Sequence, residues 1–234
     1  MHSNISSNAN HNRPRTTYVL SPSAFSFLWE ECPRCYWEQV VQGQRRPSMP
    51  MPAIFNRIDS QMKRRFEGSE WNSFGAEQPR FKVEYGERLI QSTTIDVPGR
   101  NVSIVLRGKF DSILLFDNGE RAVCDFKTSG VKPEYVEKYW RQLHAYAYIL
   151  EHAAPRSLAP GEIHRLGLAV FNPSEFLYDA RDGASLTGAM SWIDVPRDDS
   201  RFMGFIDSVA ELLASPAAPA PAQRCDFCRY RHAA

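Results

Sequence analysis

Asp111, Asp125 and Lys127 are the residues of this sequence whose types and spacing best suit a chemical reaction. They flank the segment Asp117-Asn118-Gly119, which is typical of a β-hairpin turn. With a three-residue loop, Asp111 faces Asp125, and because side chains alternate along a strand, Lys127 lies on the same face. A two-residue loop would put the two aspartates on opposite faces. The favoured register therefore brings two carboxylates and one ammonium together.

Metal-dependent phosphodiester hydrolysis is the chemistry that this group predicts. The two strands are otherwise apolar, which indicates a sheet that is covered by helices. Two buried carboxylates repel each other, and a hard divalent cation such as Mg or Mn would relieve the repulsion. The cation would activate water, and Lys127 would neutralise charge that develops on the phosphate. The alternative is that all three side chains end their strands on the surface and are solvated.

Four of the five cysteines form two C-x-x-C pairs, Cys32/Cys35 and Cys225/Cys228. The N-terminus lacks the apolar segment of a secretory signal, so we expect a cytoplasmic protein with reduced thiols. Such pairs are metal ligands or redox dithiols more often than structural disulfides. Four thiolates suit tetrahedral zinc or a four-iron cluster. The alternative is that the four thiols bind no metal. Cys124 lies within an apolar strand and is interpreted as a core residue.

Composition and periodicity predict a folded α/β protein. The chain has 234 residues, is 43% hydrophobic and carries a net charge of +1, so a nucleic-acid surface would have to be a local patch. No apolar run approaches the roughly 20 residues that span a bilayer, so no membrane partner is expected. Helical spacing predicts helices over residues 53–66, 133–151 and 200–213, and Ser21-Pro22 predicts a helix start, with Pro33 ending that helix. Strands are predicted over residues 81–85, 89–97, 102–107, 110–116, 121–127, 162–171 and 186–195.

The order of these motifs resembles the nuclease domain of RecB-type exonucleases, in the PD-(D/E)XK nuclease superfamily. Gly108-x-x-Asp111 precedes the hairpin, Asp125-x-Lys127 follows it, and Gln142-x-x-x-Tyr146 lies on the next helix. The resemblance implies a restriction-endonuclease-like core, in which helices flank a central mixed β-sheet. It implies that Gln142 and Tyr146, one helical turn apart, support the site and the substrate.

The family also places an acidic residue or a histidine on the helix before the sheet. Asp59 is the best-placed candidate here, which would make it a metal ligand together with Asp111 and Asp125. The position departs from the usual Glu or His. An i,i+4 ion pair between Asp59 and Lys63 is the alternative.

The cysteines resemble those of the iron–sulphur nucleases in the RecB-like branch, which include the CRISPR adaptation nuclease. This resemblance favours a [4Fe-4S] cluster, with zinc as the alternative, although those nucleases usually carry one N-terminal and three C-terminal cysteines. A single nuclease domain is expected over residues 17–234, and residues 1–16 are expected to be a disordered tail because the N-terminus is rich in Asn, Ser and His. The cluster-binding ends, residues 29–37 and 223–231, would be joined in a metal-cluster lobe.

DNA with single strands or free ends is the expected substrate, and a helicase or another DNA-processing protein is a possible partner. A set of basic and aromatic residues would hold the backbone and stack on bases: Lys63, Arg64, Arg65, Trp71, Phe74, Tyr139 and Trp140. The competing hypothesis is a non-catalytic iron–sulphur or zinc protein that binds DNA or a partner. A redox dithiol protein ranks last, since no thioredoxin-like helix start follows either pair.

Overall fold

The structure, a computed structural model, describes residues 15–47, 50–67, 71–75, 78–130 and 132–232. The predicted tail therefore lies almost wholly outside the described residues, but Thr16 already belongs to a strand. The helices are α1 (Pro22–Ser26), α2 (Leu28–Glu31), α3 (Pro33–Gln42), α4 (Ala53–Glu67), α5 (Tyr135–Glu151), α6 (Asp199–Ala214) and α7 (Asp226–His232). The strands are β1 (Thr16–Leu20), β2 (Phe81–Tyr85), β3 (Arg88–Gln91), β4 (Ile95–Asp96), β5 (Val102–Phe110), β6 (Ser112–Phe116), β7 (Arg121–Thr128), β8 (Arg165–Asp179) and β9 (Gly183–Val195).

The strands form two sheets, and the chain runs directly from a strand of one sheet into a strand of the other. The larger sheet has the order β2-β6-β7-β8-β9, and β7 and β8 are its parallel pair. In the smaller sheet, β5 pairs in parallel with β1 and antiparallel with β3 and β4. Asp111 alone separates β5 from β6, so the chain passes from one sheet to the other at this residue. The predicted mixed sheet flanked by helices is confirmed, with a second sheet beside it.

The central strand β7 is covered on both faces, as its apolar sequence predicts. Val123 packs in the core that contains Leu143 and Tyr146 of α5. The neighbouring residues Cys124 and Phe126 pack in a second core with residues of α4 and β2. Because side chains alternate along a strand, Asp125 and Lys127 lie on the α5 face with Val123.

The N-terminal helices differ from the prediction. The single helix expected from Ser21 to Cys32 is divided into α1 and α2, and Pro33 begins α3 rather than ending a helix. Proline suits the first turn of a helix because its missing N–H has no intrahelical partner there. Gly43 ends α3 with a φ of 71°, a left-handed conformation that favours glycine. Among the residues that the structure describes, no helix is both long and apolar enough to cross a membrane.

Candidate active site and cysteine site

The hairpin that carries the carboxylates has the predicted register. Ser112 pairs with Cys124 and Ile113 with Val123, so Asp111 lies opposite Asp125. The Phe116 N–H donates to the Glu120 carbonyl oxygen at 2.8 Å, which closes a three-residue loop. Gly119 has a φ of 89°, the left-handed conformation that such a loop needs. The two aspartates therefore face each other across adjacent antiparallel segments.

Asp111 is held from two sides at the junction of β5 and β6. Its Oδ2 accepts a hydrogen bond from the Phe126 N–H at 3.0 Å. Its Oδ1 accepts one from the Lys63 ammonium at 2.8 Å. The first bond ties Asp111 to β7 next to Asp125, and the second ties it to α4.

Asp125 is buried, and it has two polar neighbours on the α5 side. Its Oδ1 accepts a hydrogen bond from the Gln142 side-chain amide at 3.0 Å, and its Oδ2 forms an ion pair with Lys127. Burial raises the pKa of Asp125 to about 6, and the negative charge of Asp111 adds to the rise while Lys127 opposes it. Burial alone would lower the pKa of Lys127, but Asp125 outweighs this effect and raises it. Lys127 is therefore an ammonium at neutral pH.

Tyr146 supports the end of β5. Its hydroxyl donates to the Lys109 carbonyl oxygen at 2.9 Å. Burial raises the pKa of this hydroxyl, so it stays protonated and remains a donor. A Cβ at Gly108 would lie 3.0 Å from the Tyr146 ring and 2.8 Å from Pro22, so a larger residue would push α1 and α5 away from the strand. The glycine of the Gly-x-x-Asp motif thus has a packing function.

Asp59 lies in an ion-pair cluster that the sequence pattern did not reveal. Its Oδ2 lies 2.8 Å from the Lys63 ammonium, which is the i,i+4 pair considered as the alternative. Lys63 also contacts Glu87 at 2.8 Å and Asp111. The prediction that Lys63 holds a DNA backbone is wrong, because this side chain is buried among carboxylates. Glu87 was missed altogether, since no local pattern relates it to Asp111.

An aromatic cleft of about 410 Å³ opens beside Lys127. Its walls include Phe27 of the α1–α2 junction, Phe55 of α4, and Tyr135 and Tyr139 of α5. Two of the aromatic residues predicted to stack on bases have other partners: Phe74 packs against Phe81 and Trp192, and Trp140 packs against His144 and Phe205. Both are buried, so that part of the prediction is wrong.

The four cysteines of the two C-x-x-C pairs meet, as predicted. Their sulfur atoms all lie within 4.8 Å of one another, and all four residues are buried. The separations include 3.4 Å between Cys35 and Cys228, and 3.8 Å between Cys35 and Cys225. In each pair one cysteine immediately precedes a helix, α3 or α7, and the other lies in its first turn. The expectation that no helix starts at either pair is therefore wrong. The fifth cysteine, Cys124, is buried in the core, as expected.

Hydrogen-bond donors surround the cysteine sulfurs. The Arg46 guanidinium donates to Cys225 Sγ at 3.1 Å, and the Ala222 N–H donates to Cys32 Sγ at 3.5 Å. Burial and the neighbouring cysteines raise the pKa of Cys228, and burial raises that of Cys35. Burial opposes ionisation of Cys32, but hydrogen bonds from Ala222, Cys35 and Cys225 outweigh it and lower its pKa to about 7. Such donors stabilise thiolates, which are the form that binds metals.

Both sites fit metal ions, of different chemical character. At the carboxylate site, Gln142 Oε1 is buried and has no hydrogen-bond donor among the described residues, whereas Asp125 Oδ2 is paired with Lys127. Two facing carboxylates and an acceptor without a donor suit a hard cation that keeps water molecules. At the cysteine site, four buried sulfurs suit a thiophilic metal.

The fold has a restriction-endonuclease-like core, and its hairpin brings the two aspartates face to face. The chain matches the PD-(D/E)XK nuclease superfamily over residues 20–233 and belongs to it. A solved structure described as "Crystal structure of SSO0001" is similar, with 17% identity over 85% of this chain and 78% of that chain, and a TM-score of 0.47. No curated protein sequence matches this chain.

Proposed function

We propose that this protein is a Mg- or Mn-dependent deoxyribonuclease with Asp111, Asp125 and Lys127 at its catalytic centre. The observation that carries the proposal is the register of the hairpin, which faces Asp111 with Asp125 and puts Lys127 on the same side. The bound ion would be held by Asp111 and Asp125, and it would supply Lewis acidity and a water of lowered pKa. Asp59 would act on the site indirectly, because it contacts Lys63 and Lys63 in turn contacts Asp111.

The residues around the two aspartates have separate roles. Lys127 stays charged beside Asp125 and is positioned to neutralise the phosphate as charge develops on it. Gln142 orients Asp125 by donating to its Oδ1. Tyr146 acts as a positioning residue, since its hydroxyl fixes the Lys109 carbonyl two residues before Asp111.

The aromatic cleft supports a preference for single strands or free ends. An unpaired base can stack on an aromatic side chain, whereas a base inside a duplex is already stacked on its neighbours. The cleft is lined by Lys127 at the catalytic centre and by Phe55 and Tyr135 further out. A strand end in the cleft would therefore present its backbone near Asp125. Action on duplex ends would need strand separation, which a helicase or another DNA-processing partner would supply.

For the cysteine site we propose a [4Fe-4S] cluster, with zinc as the alternative. Four buried sulfurs that lie within 4.8 Å of one another provide the four thiolates that either group needs. The resemblance of the cysteine pairs to those of iron–sulphur nucleases supports the cluster. Elemental analysis of the purified protein distinguishes the two, with one zinc per chain against four irons.

Cleavage of labelled DNA tests the catalytic proposal. With added Mn²⁺, the protein should cut linear single-stranded DNA, and a chelator should stop the reaction until excess Mn²⁺ is restored. Asp125→Ala should lower the rate by about 10³-fold or more, equivalent to about 4 kcal/mol, because the ion loses a ligand. Lys127→Ala should lower it by about 10²-fold with Mn²⁺ affinity kept or raised, because an ammonium repels the ion.

Two controls accompany the cleavage assay: a DNA-binding measurement on both variants, and substitution of an exposed aspartate. Binding should survive both changes, since phosphate contacts elsewhere hold the strand. Asp207→Ala on α6 removes an aspartate that is remote from the site and should leave the rate unchanged. A wild-type protein with a loaded cysteine site that is inert on single-stranded, double-stranded, linear and circular DNA would favour the non-catalytic binding protein instead.

A further inference from the structure

Lys63 is surrounded by carboxylates from three different parts of the chain. Its Nζ lies 2.8 Å from Asp59 of α4, 2.8 Å from Glu87 of the β2–β3 turn, and 2.8 Å from Asp111. An ammonium has three N–H donors, and each of these carboxylates can take one. The cation is thus coordinated by three anions, in the way that a metal ion would be.

This ammonium is a fixed part of the site. The Lys63 side chain is only 10% exposed and extends from the C-terminal half of α4. Displacing it would leave an unpaired ammonium in a buried place, which is costly.

The charges of the carboxylates and ammonium groups at this centre favour the binding of one divalent cation rather than two. Lys63 compensates Asp59, Glu87 and Asp111 in part, Lys109 contacts Glu87 from the exposed side, and Lys127 pairs with Asp125. Four carboxylates and three ammonium groups leave a single net negative charge. One divalent ion would reverse that charge, and a second would add two further positive charges to a site that is already positive.

We propose that Lys63 occupies the place of a second divalent cation and thereby makes this a one-metal centre. The inference rests on the proposed function, because it assumes that one ion binds between Asp111 and Asp125. Two-metal nucleases hold a pair of ions about 3.5–4 Å apart. Here Asp111 Oδ1 accepts a hydrogen bond from Lys63, so the ammonium already occupies the place beside this oxygen. Lys63 is a positioning residue in this scheme, since it fixes Asp111 toward the single ion.

Manganese binding to the full chain tests this inference. Free Mn²⁺ is counted by its electron paramagnetic resonance signal during titration of the protein, with the cysteine site loaded as purified. The wild type should bind one Mn²⁺ per chain. Lys63→Gln removes the charge and keeps much of the side chain, and it should raise the number to two. Lys63→Arg restores a cation and should return the number to one.

Lys109→Gln is the matched control, because Lys109 also contacts Glu87 but is 57% exposed. It should leave the number at one. Two ions in the wild type, or one ion in a folded Lys63→Gln variant, would overturn the inference. The wild-type count decides the matter even if Lys63→Gln does not fold. A wild type that binds no ion would overturn the proposed function itself, whereas two ions would leave that function intact.

Discussion

The carboxylate site and the cysteine site differ in where they come from in the chain. The first is built by β7 and the β5–β6 junction, in the middle of the sequence, with Gln142 added from α5. The second is built by the two ends, since Cys32 and Cys228 are 196 positions apart. The first site thus belongs to the central sheet, while the second closes the chain on itself. A cross-link that closes a long loop is expected to stabilise a fold more than one that closes a short loop, because it removes more entropy from the unfolded chain.

The two sites also differ in how completely their ligands are satisfied. The cysteine sulfurs are buried and accept hydrogen bonds from groups such as Arg46 and Ala222. The carboxylate site borders the aromatic cleft through Lys127, and it keeps the buried Gln142 Oε1 without a donor among the described residues. Closed four-ligand sites are typical of structural metals, and open sites are typical of catalytic ones. We infer that the cysteine site stabilises the fold, and that the carboxylate site exchanges substrate at some cost in stability.

Removal of one cysteine ligand should have the largest effect on stability. Metal-binding energy at such a site is folding energy, so Cys228→Ala should lower the free energy of unfolding by about 4 kcal/mol or more. Bound metal should fall well below the wild-type content. Unfolding in urea and elemental analysis provide the two measurements.

Cys124→Ala is the matched control, because Cys124 is equally buried but lies outside the cysteine site. It should keep the metal and lose only about 1–2 kcal/mol through a small cavity. Equal metal content and equal stability in the two variants would remove the distinction between a structural and a catalytic site.

Much of the carboxylate site follows from local sequence. Asp117-Asn118-Gly119 defines the loop, the loop defines the register, and the register brings Asp111 to Asp125. The spacing of Gln142 and Tyr146 likewise puts both on the buried face of α5. These relations depend on neighbours within a strand pair or a helix, which is why sequence periodicity reveals them.

The remaining parts depend on tertiary placement. Glu87 reaches Lys63 from 24 positions away, across a turn whose course no local pattern defines. The chain changes sheet at Asp111, whereas the sequence pattern predicted that one strand ends at Arg107 and the next begins at Phe110. Pro33 also permits two interpretations, as a helix end or a helix start, and only the packing of α3 distinguishes them.

Neutralising Asp125 should stabilise the protein, which is the opposite of the effect expected for Cys228→Ala. The pKa of Asp125 is raised to about 6, so the folded protein binds this proton more tightly than the unfolded chain does. The stabilisation from the proton is present at low pH and is lost as pH rises through 6. Asp125→Asn lacks the buried charge, so at pH 8, without added divalent ions, it should be more stable than the wild type.

The difference should vanish near pH 4, where the wild-type carboxyl is protonated too. Urea unfolding at both pH values checks this, in buffers treated with a chelating resin so that the cysteine site keeps its metal. Added Mn²⁺ should stabilise the wild type at pH 8 and leave Asp125→Asn nearly unaffected. A variant that is less stable than the wild type at pH 8 would mean that the Asp125–Lys127 ion pair outweighs desolvation.

The smallest expected effect concerns Gln142, which acts on the ion only through Asp125. Gln142→Ala removes the donor to Asp125 Oδ1, so Mn²⁺ affinity should fall by about tenfold, as for other groups that orient a metal ligand. The loss should be greater at pH 6 than at pH 8, because a carboxylate without its donor holds a proton more tightly and the proton competes with the ion. Tyr146→Phe provides the control, since it removes a hydroxyl from the same face of α5 that contacts the Lys109 carbonyl instead. It should lower the cleavage rate with little pH dependence in Mn²⁺ affinity. Equal pH dependence in both variants would mean that α5 supports the site only as a packed helix, and that Gln142 has no separate influence on Asp125.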